Sequence, residues 1–139
     1  MAYLATIEEF EAELEALYAT HQSVAELVDA LIDELSDDEE CLARLTDRVP
    51  NFLYMYAPPF EIKRFERAWN ERRRIYTLKP YDEDGHKIDF RIFLGHDIET
   101  DEFFVLSILP RATCYDTSQP TYQQLCDRYD RTRIPAVRF

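Results

Sequence analysis

Glycine is nearly missing from this chain, with only Gly85 and Gly95 in 139 residues. A P-loop or a GxGxxG turn needs several glycines to bring backbone close to phosphate, so neither is encoded. Cysteine is scarce and odd in number, at Cys41, Cys114 and Cys126, with no CxxC spacing. That pattern fits reduced thiols in a cytosolic (cytoplasmic) protein rather than a disulfide framework. Histidine is limited to His21, His86 and His96, with no HxxxH pair. The spacing therefore offers no structural zinc site, and no metal or cofactor is expected. Apolar runs are short. None approaches the ~20 residues that span a bilayer, and no charged segment leads into an apolar stretch as in a signal peptide.

Positive charge is what the first third lacks. Residues 1–50 carry 14 acidic residues against two basic ones, Arg44 and Arg48. The rest is neutral in sum, so the whole net charge of −12 sits in the first third. Such a chain is repelled by nucleic acid at long range. Generic DNA binding and adhesion to anionic membrane are disfavoured, while a local basic site in the second part stays open. The apolar share of 46% is that of a globular protein. The length fits one domain over 1–139, with an acidic helical part over 1–50 and a sheet part over 51–139.

The acidic part has helical periodicity. Ile7, Phe10, Leu14 and Leu17 form one apolar stripe, and Val24, Leu27, Val28, Leu31, Ile32 and Leu35 form a second. Thr6 with Glu9, Ser23 with Glu26 and Ser36 with Glu39 have capping-box spacing. Two antiparallel helices linked near His21 are expected, then a short helix ended by Pro50. Residues 51–60 (Phe52, Tyr54, Tyr56, Pro58, Pro59 and Phe60 among them) look like a packed connector. Residues 61–74 are dense in charge around Trp69.

From residue 75 the period is two. Ile75 to Lys79 is a short strand, Asp82-Glu83-Asp84-Gly85 is a turn signal, and Ile88 to Leu94 alternates as a half-buried strand. Phe103 to Leu109 is almost wholly apolar, as a central strand would be. A last helix is expected over about 119–130. The order predicts an α+β fold: an N-terminal helical pair on one face of a three- or four-stranded antiparallel sheet, with a C-terminal helix.

Several pieces between Pro59 and Tyr115 resemble bacterial RelE/ParE-type toxins of type II toxin-antitoxin systems. They are Phe60-Glu61-Ile62-Lys63-Arg64-Phe65, Ile75-Tyr76-Thr77-Leu78-Lys79, Phe90-Arg91-Ile92-Phe93, and Phe103 to Leu109 with Arg111 following. The resemblance implies a RelE-like, metal-independent endoribonuclease that cleaves mRNA, on the ribosome in some members, and is neutralised by an antitoxin protein. It maps Lys79, Arg91, Arg111 and Tyr115 to the catalytic site. Arg91, mid-strand on an open sheet face, and Arg111 would clamp the phosphate, where guanidinium forks stabilise developing charge. Lys79 or Tyr115 would move protons between the attacking 2'-hydroxyl and the leaving 5'-oxygen. Lys63, Arg64 and Arg73 would hold the RNA backbone. The acidic balance departs from the usually basic toxins, and Pro110 restricts the backbone before Arg111.

Two other readings use the same residues. One is a ParE-like toxin that inhibits gyrase and needs no RNA-cleaving residues. The other is a non-catalytic module whose acidic helices bind a basic protein, with Arg72-Arg73-Arg74 paired to those helices and Arg91 a strand salt-bridge residue. Hairpin register decides whether the constellation can form. A two-residue Asp84-Gly85 turn sets Lys79 opposite Phe90, whereas a three- or five-residue loop can set it opposite Arg91.

Overall fold

The structure, a computed structural model, describes residues 2–46, 59–116 and 118–138. Pro50 and the expected connector residues Phe52, Tyr54, Tyr56 and Pro58 lie outside the described residues. The chain runs β1 (Tyr3–Thr6), α1 (Glu8–Thr20), α2 (Gln22–Asp37), α3 (Glu39–Ala43), β2 (Phe60–Arg64) and α4 (Glu66–Asn70). It continues through β3 (Ile75–Pro80), β4 (Phe90–Asp97), β5 (Glu102–Pro110), α5 (Arg111–Cys114) and α6 (Pro120–Arg131). The α+β class holds.

The sheet corrects the expected antiparallel one in two ways. It has five strands, in the order β1-β5-β4-β3-β2, and it is mixed because β1 runs parallel to β5. The meander β3-β4-β5 is antiparallel, as its alternation and turns imply, and β2 adds to its outer edge. Neither edge strand was read from the sequence. Phe60 and Ile62 do alternate toward the core, but charge around them hides the period. Tyr3–Thr6 has no alternation of its own and is fixed by its partner.

Helices cover both faces, not one. On the first face, Phe10, Val28, Leu31, Leu35 and Leu42 pack with Leu78, Ile92, Leu94, Phe103 and Val105. On the second, Phe65, Tyr122, Leu125, Cys126 and Tyr129 pack with Ile75, Phe93 and Leu106. Strand alternation divides β4 between them: Ile92 and Leu94 enter the first core, Phe93 the second. Gly95 has a steric reason to be glycine. A Cβ there would lie 2.9 Å from Ile134 Cδ1 and 3.2 Å from Tyr129 Cδ2.

The helix starts differ from the capping-box reading. Ile7 and His21 stand at the N-caps of α1 and α2 without side-chain caps. Thr6 Oγ1 donates to Glu11 instead. At α3 the cap is Asp38, whose carboxylate accepts from the Cys41 N–H at 3.0 Å. A single residue, His21, links α1 to α2. Tyr18 crosses between them, its hydroxyl donating to Asp29 at 2.7 Å.

One part-buried network ties the layers at the bulge between β4 and β5. Beyond Thr6, β1 no longer pairs with β5. Glu13 of α1 meets this stretch, accepting from Ser107 Oγ at 2.9 Å and Ile108 N–H at 3.2 Å. Arg128 of α6 donates to Glu13 at 3.1 Å and to the Leu106 carbonyl at 3.0 Å. Strand polar groups that would otherwise lack partners are thereby satisfied.

Candidate functional site

The hairpin register brings Lys79 and Arg91 to one face. Leu78 pairs with Ile92 and Thr77 with Phe93. One step further sets Lys79 level with Arg91, the second of the two registers the sequence left open. The loop itself closes as a five-residue turn, Asp82 to His86, behind the bridge Tyr81–Lys87. Gly85 supplies its left-handed residue, at φ +79°. An irregular Ile88–Asp89 step then carries the chain into the β3–β4 register.

β2 adds Glu61 and Lys63 to that face, opposite Lys79 and Thr77. Pro110 ends β5, and the single turn α5 delivers Tyr115. Lys63, Arg64, Phe65, Glu66, Arg67, Thr77, Lys79 and Tyr115 line a hollow of about 270 Å³. Tyr115, 44% exposed, stands edge-on to Phe65 with ring centres 6.0 Å apart.

Arg91 lies beneath this hollow, not on an open face, and is only 3% exposed. That corrects the expectation of a solvent-facing arginine; α5 and α6 cover this side of the sheet. Its Nη1 donates to the Ile88 and Phe90 carbonyls at 2.5 and 3.0 Å. Its Nε is buried with no hydrogen-bond partner among the described residues, and so is Thr77 Oγ1. Buried polar groups left unsatisfied are uncommon, and His96 Nδ1, stacked on Phe103 in the first core, is another among the described residues.

Electrostatics separates the proton-carrying groups. Burial lowers the Lys79 pKa, helped by the charges of Lys63, Lys87 and Arg91 and opposed by Glu61. Burial raises the Tyr115 pKa, while a hydrogen bond and charge from Arg91 pull it back. Burial also raises the Cys114 thiol despite nearby Arg91, so Cys114 is not poised as a thiolate. Lys79 is thus eased toward its neutral form, and Tyr115 keeps its proton.

The other expected residues divide. Lys63 and Arg64 border the hollow. Arg64 also lies 4.1 Å over the Trp69 ring, with Arg74 at 4.7 Å. Arg73 is placed elsewhere, held by Asp130 of α6 through two bonds of 3.0 Å and by Glu71 at 3.3 Å. It therefore pairs with α6 and α4's end rather than with the acidic helices. Arg111 lines a separate hollow with His21, Asp89, Phe90, Pro110 and Ala112. Pro110 belongs to the strand position that pairs with Phe90, on the opposite side from Arg91. The expected Arg91–Arg111 clamp is not assembled.

Sequence spacing missed Glu61, which sits among the cations. It pairs with Lys63 at 2.9 Å and Lys87 at 2.5 Å. Those bonds hold its carboxyl at about 2. A lone glutamate in a basic strand was the available signal. Spacing also missed Asp82, Asp84 and His86, whose possible ligand atoms lie within 4.8 Å of one another. Asp82 Oδ1 there accepts the Asp84 and His86 amides, so turn geometry accounts for the grouping.

Among the described residues, no helix is long and apolar enough to cross a membrane. No family model matches the chain, and searches of curated proteins and of solved structures find no match either.

Proposed function

We propose that the chain is a RelE-like endoribonuclease that cleaves mRNA through the 2'-hydroxyl and is held in check by an antitoxin protein. In this reading the α1–α2 hairpin and the β3-β4-β5 meander are the toxin scaffold, and β1 and α6 are additions to it. The observation that carries the proposal is the meeting of Lys79 and Tyr115 at one small basic hollow, with Arg91 buried beside them.

Each group has a task that its environment favours. Lys79, eased toward neutrality, takes the proton from the 2'-hydroxyl. The 2'-oxygen attacks the phosphorus, and the bond to the 5'-oxygen breaks. The products are a 2',3'-cyclic phosphate and a 5'-hydroxyl. Tyr115 gives its proton to the leaving 5'-oxygen. Lys63 stabilises the charge that gathers on the phosphoryl oxygens. Arg91 is a positioning residue: anchored by two carbonyls, it holds Tyr115 and adds positive charge from below.

Induced expression in bacteria tests this. Wild type should arrest growth, and a Lys79→Met/Tyr115→Phe variant of equal abundance should not. Equal growth of the two cultures, with both proteins folded, would refute the proposal. Arrest without new RNA ends would favour the ParE-like, gyrase-inhibiting reading.

A second reading rests on a different place. Two adjoining hollows of about 600 and 490 Å³ run between α2 and the β3–β4 hairpin and share Ser23, Leu27 and Glu83. Leu27 and Phe90 supply apolar floor, and Glu26, Glu34, Asp82 and Asp89 supply an acidic rim. This is a surface suited to a basic amphipathic protein segment. A pull-down whose yield depends on Glu26 and Glu34, without growth arrest, would favour it.

A further inference from the structure

We infer that Glu61 is a built-in counter-anion of the basic hollow, which a phosphodiester must displace from Lys63 and Lys87 before it can bind. The inference rests on reading that hollow as an RNA site. Its premise is geometric. β2 places Glu61 directly opposite Lys79, and its two carboxylate oxygens take Lys63 and Lys87, one each. Glu61 is thus set among Lys63, Lys79, Lys87 and Arg91, and it engages the two most exposed of the lysines, while Glu66 also borders the hollow.

The contact is made to be exchanged. Lys63 and Lys87 side chains are 63% and 40% exposed, so water can replace either bond at small cost. Glu61 is itself 23% exposed, and it stays ionised throughout the physiological range. Its charge is therefore relieved only by a competing anion and not by a modest fall in pH. A phosphodiester offers the same two lysines two oxygen acceptors sharing one negative charge, as the carboxylate does. The arrangement adds a threshold to RNA binding by an already acidic chain: weak, passing contacts fail, and a strand held in place by other means, as on a ribosome, succeeds.

The test is fluorescence anisotropy with a labelled, 2'-O-methylated single-stranded oligoribonucleotide, which binds without being cut. Glu61→Gln should bind the probe about tenfold more tightly than wild type, with a steeper dependence on salt as freed lysines meet phosphate. Glu102→Gln is the charge-matched control, on β5 beside the opposite edge strand β1. Glu61→Ser guards against an effect peculiar to glutamine. Binding by Glu61→Gln and Glu61→Ser no tighter than by Glu102→Gln would overturn the inference while leaving the RNA site intact. Absence of probe binding by wild type and by every variant would overturn the RNA site together with it.

Discussion

The two faces of the sheet do different work with similar materials. The face under α1, α2 and α3 is closed mainly by aliphatic side chains, with Phe10 among them, and most acids of these helices are exposed while Glu13 turns to β5. The face under α5 and α6 is closed by aromatics and cysteines, but at its β2–β3 end the cover stops. There Lys79, Thr77, Arg91 and Tyr115 meet with polar atoms left over. The first face carries one such atom as well, His96 Nδ1 beside Phe103. The second sets Thr77 Oγ1 and Arg91 Nε beside a hollow lined by Lys63 and Lys79, and that coincidence makes it the candidate for function.

Removing the proton carriers should separate the two faces most strongly. Lys79→Met or Tyr115→Phe should lower RNA cleavage by about 10²–10⁴-fold with little loss of stability. Cleavage assays beside thermal melts check this. An equal loss from Glu26→Gln and Glu34→Gln, on the acidic side, would erase the distinction between the faces. Next in size is Gly95→Val. Its added carbons strike Ile134 and Tyr129, and the expected cost is about 2–3 kcal/mol in denaturant unfolding.

Glu13→Ala probes the network that joins the faces. It leaves Arg128 with the Leu106 carbonyl and no carboxylate, and frees Ser107 and the Ile108 amide, at an expected cost of about 1–3 kcal/mol. A Glu13→Ala/Arg128→Met double variant should lose less than the sum of the single losses, and a double-mutant cycle measures that coupling.

The fold was legible in the sequence where one strand or helix carries its own period. The meander from Ile75 to Leu109 and the helices α1, α2 and α6 are such elements. Tyr3–Thr6 was not legible, because parallel pairing with Glu102–Val105 is decided by residues about a hundred positions away. The capping boxes failed for a related reason. Thr6 is claimed by β1, and Ser23 lies one position inside α2. Of the site, Lys79, Tyr115, Lys63 and Arg64 were placed by motif order, and they share the hollow. The burial of Arg91 was hidden because it depends on the cover from α5 and α6. Arg111 was misplaced because a residue after Pro110 can turn to either side of the strand, and it turns toward His21 and Phe90.

Two smaller effects are expected. Arg111→Ala should reduce cleavage less than about tenfold, well below Lys79→Met, because Arg111 borders a different hollow. Glu61 should leave a trace in acid. Its folded pKa of about 2 lies below the ordinary value of 4.5. Its contribution is therefore full above about pH 5 and fades as pH falls through 2. After solvent screening it amounts to on the order of 1 kcal/mol. Wild type and Glu61→Gln should thus converge in stability near pH 2, followed by urea unfolding across the acid range.

The most direct measurement is mapping of RNA 5' ends in bacteria expressing wild type or Tyr115→Phe at equal abundance. New 5'-hydroxyl ends within mRNA, present with wild type and reduced in the variant, are the expected result. Identical end profiles for the two proteins, with wild type folded and recovered intact, would contradict an RNA-cleaving site at this hollow.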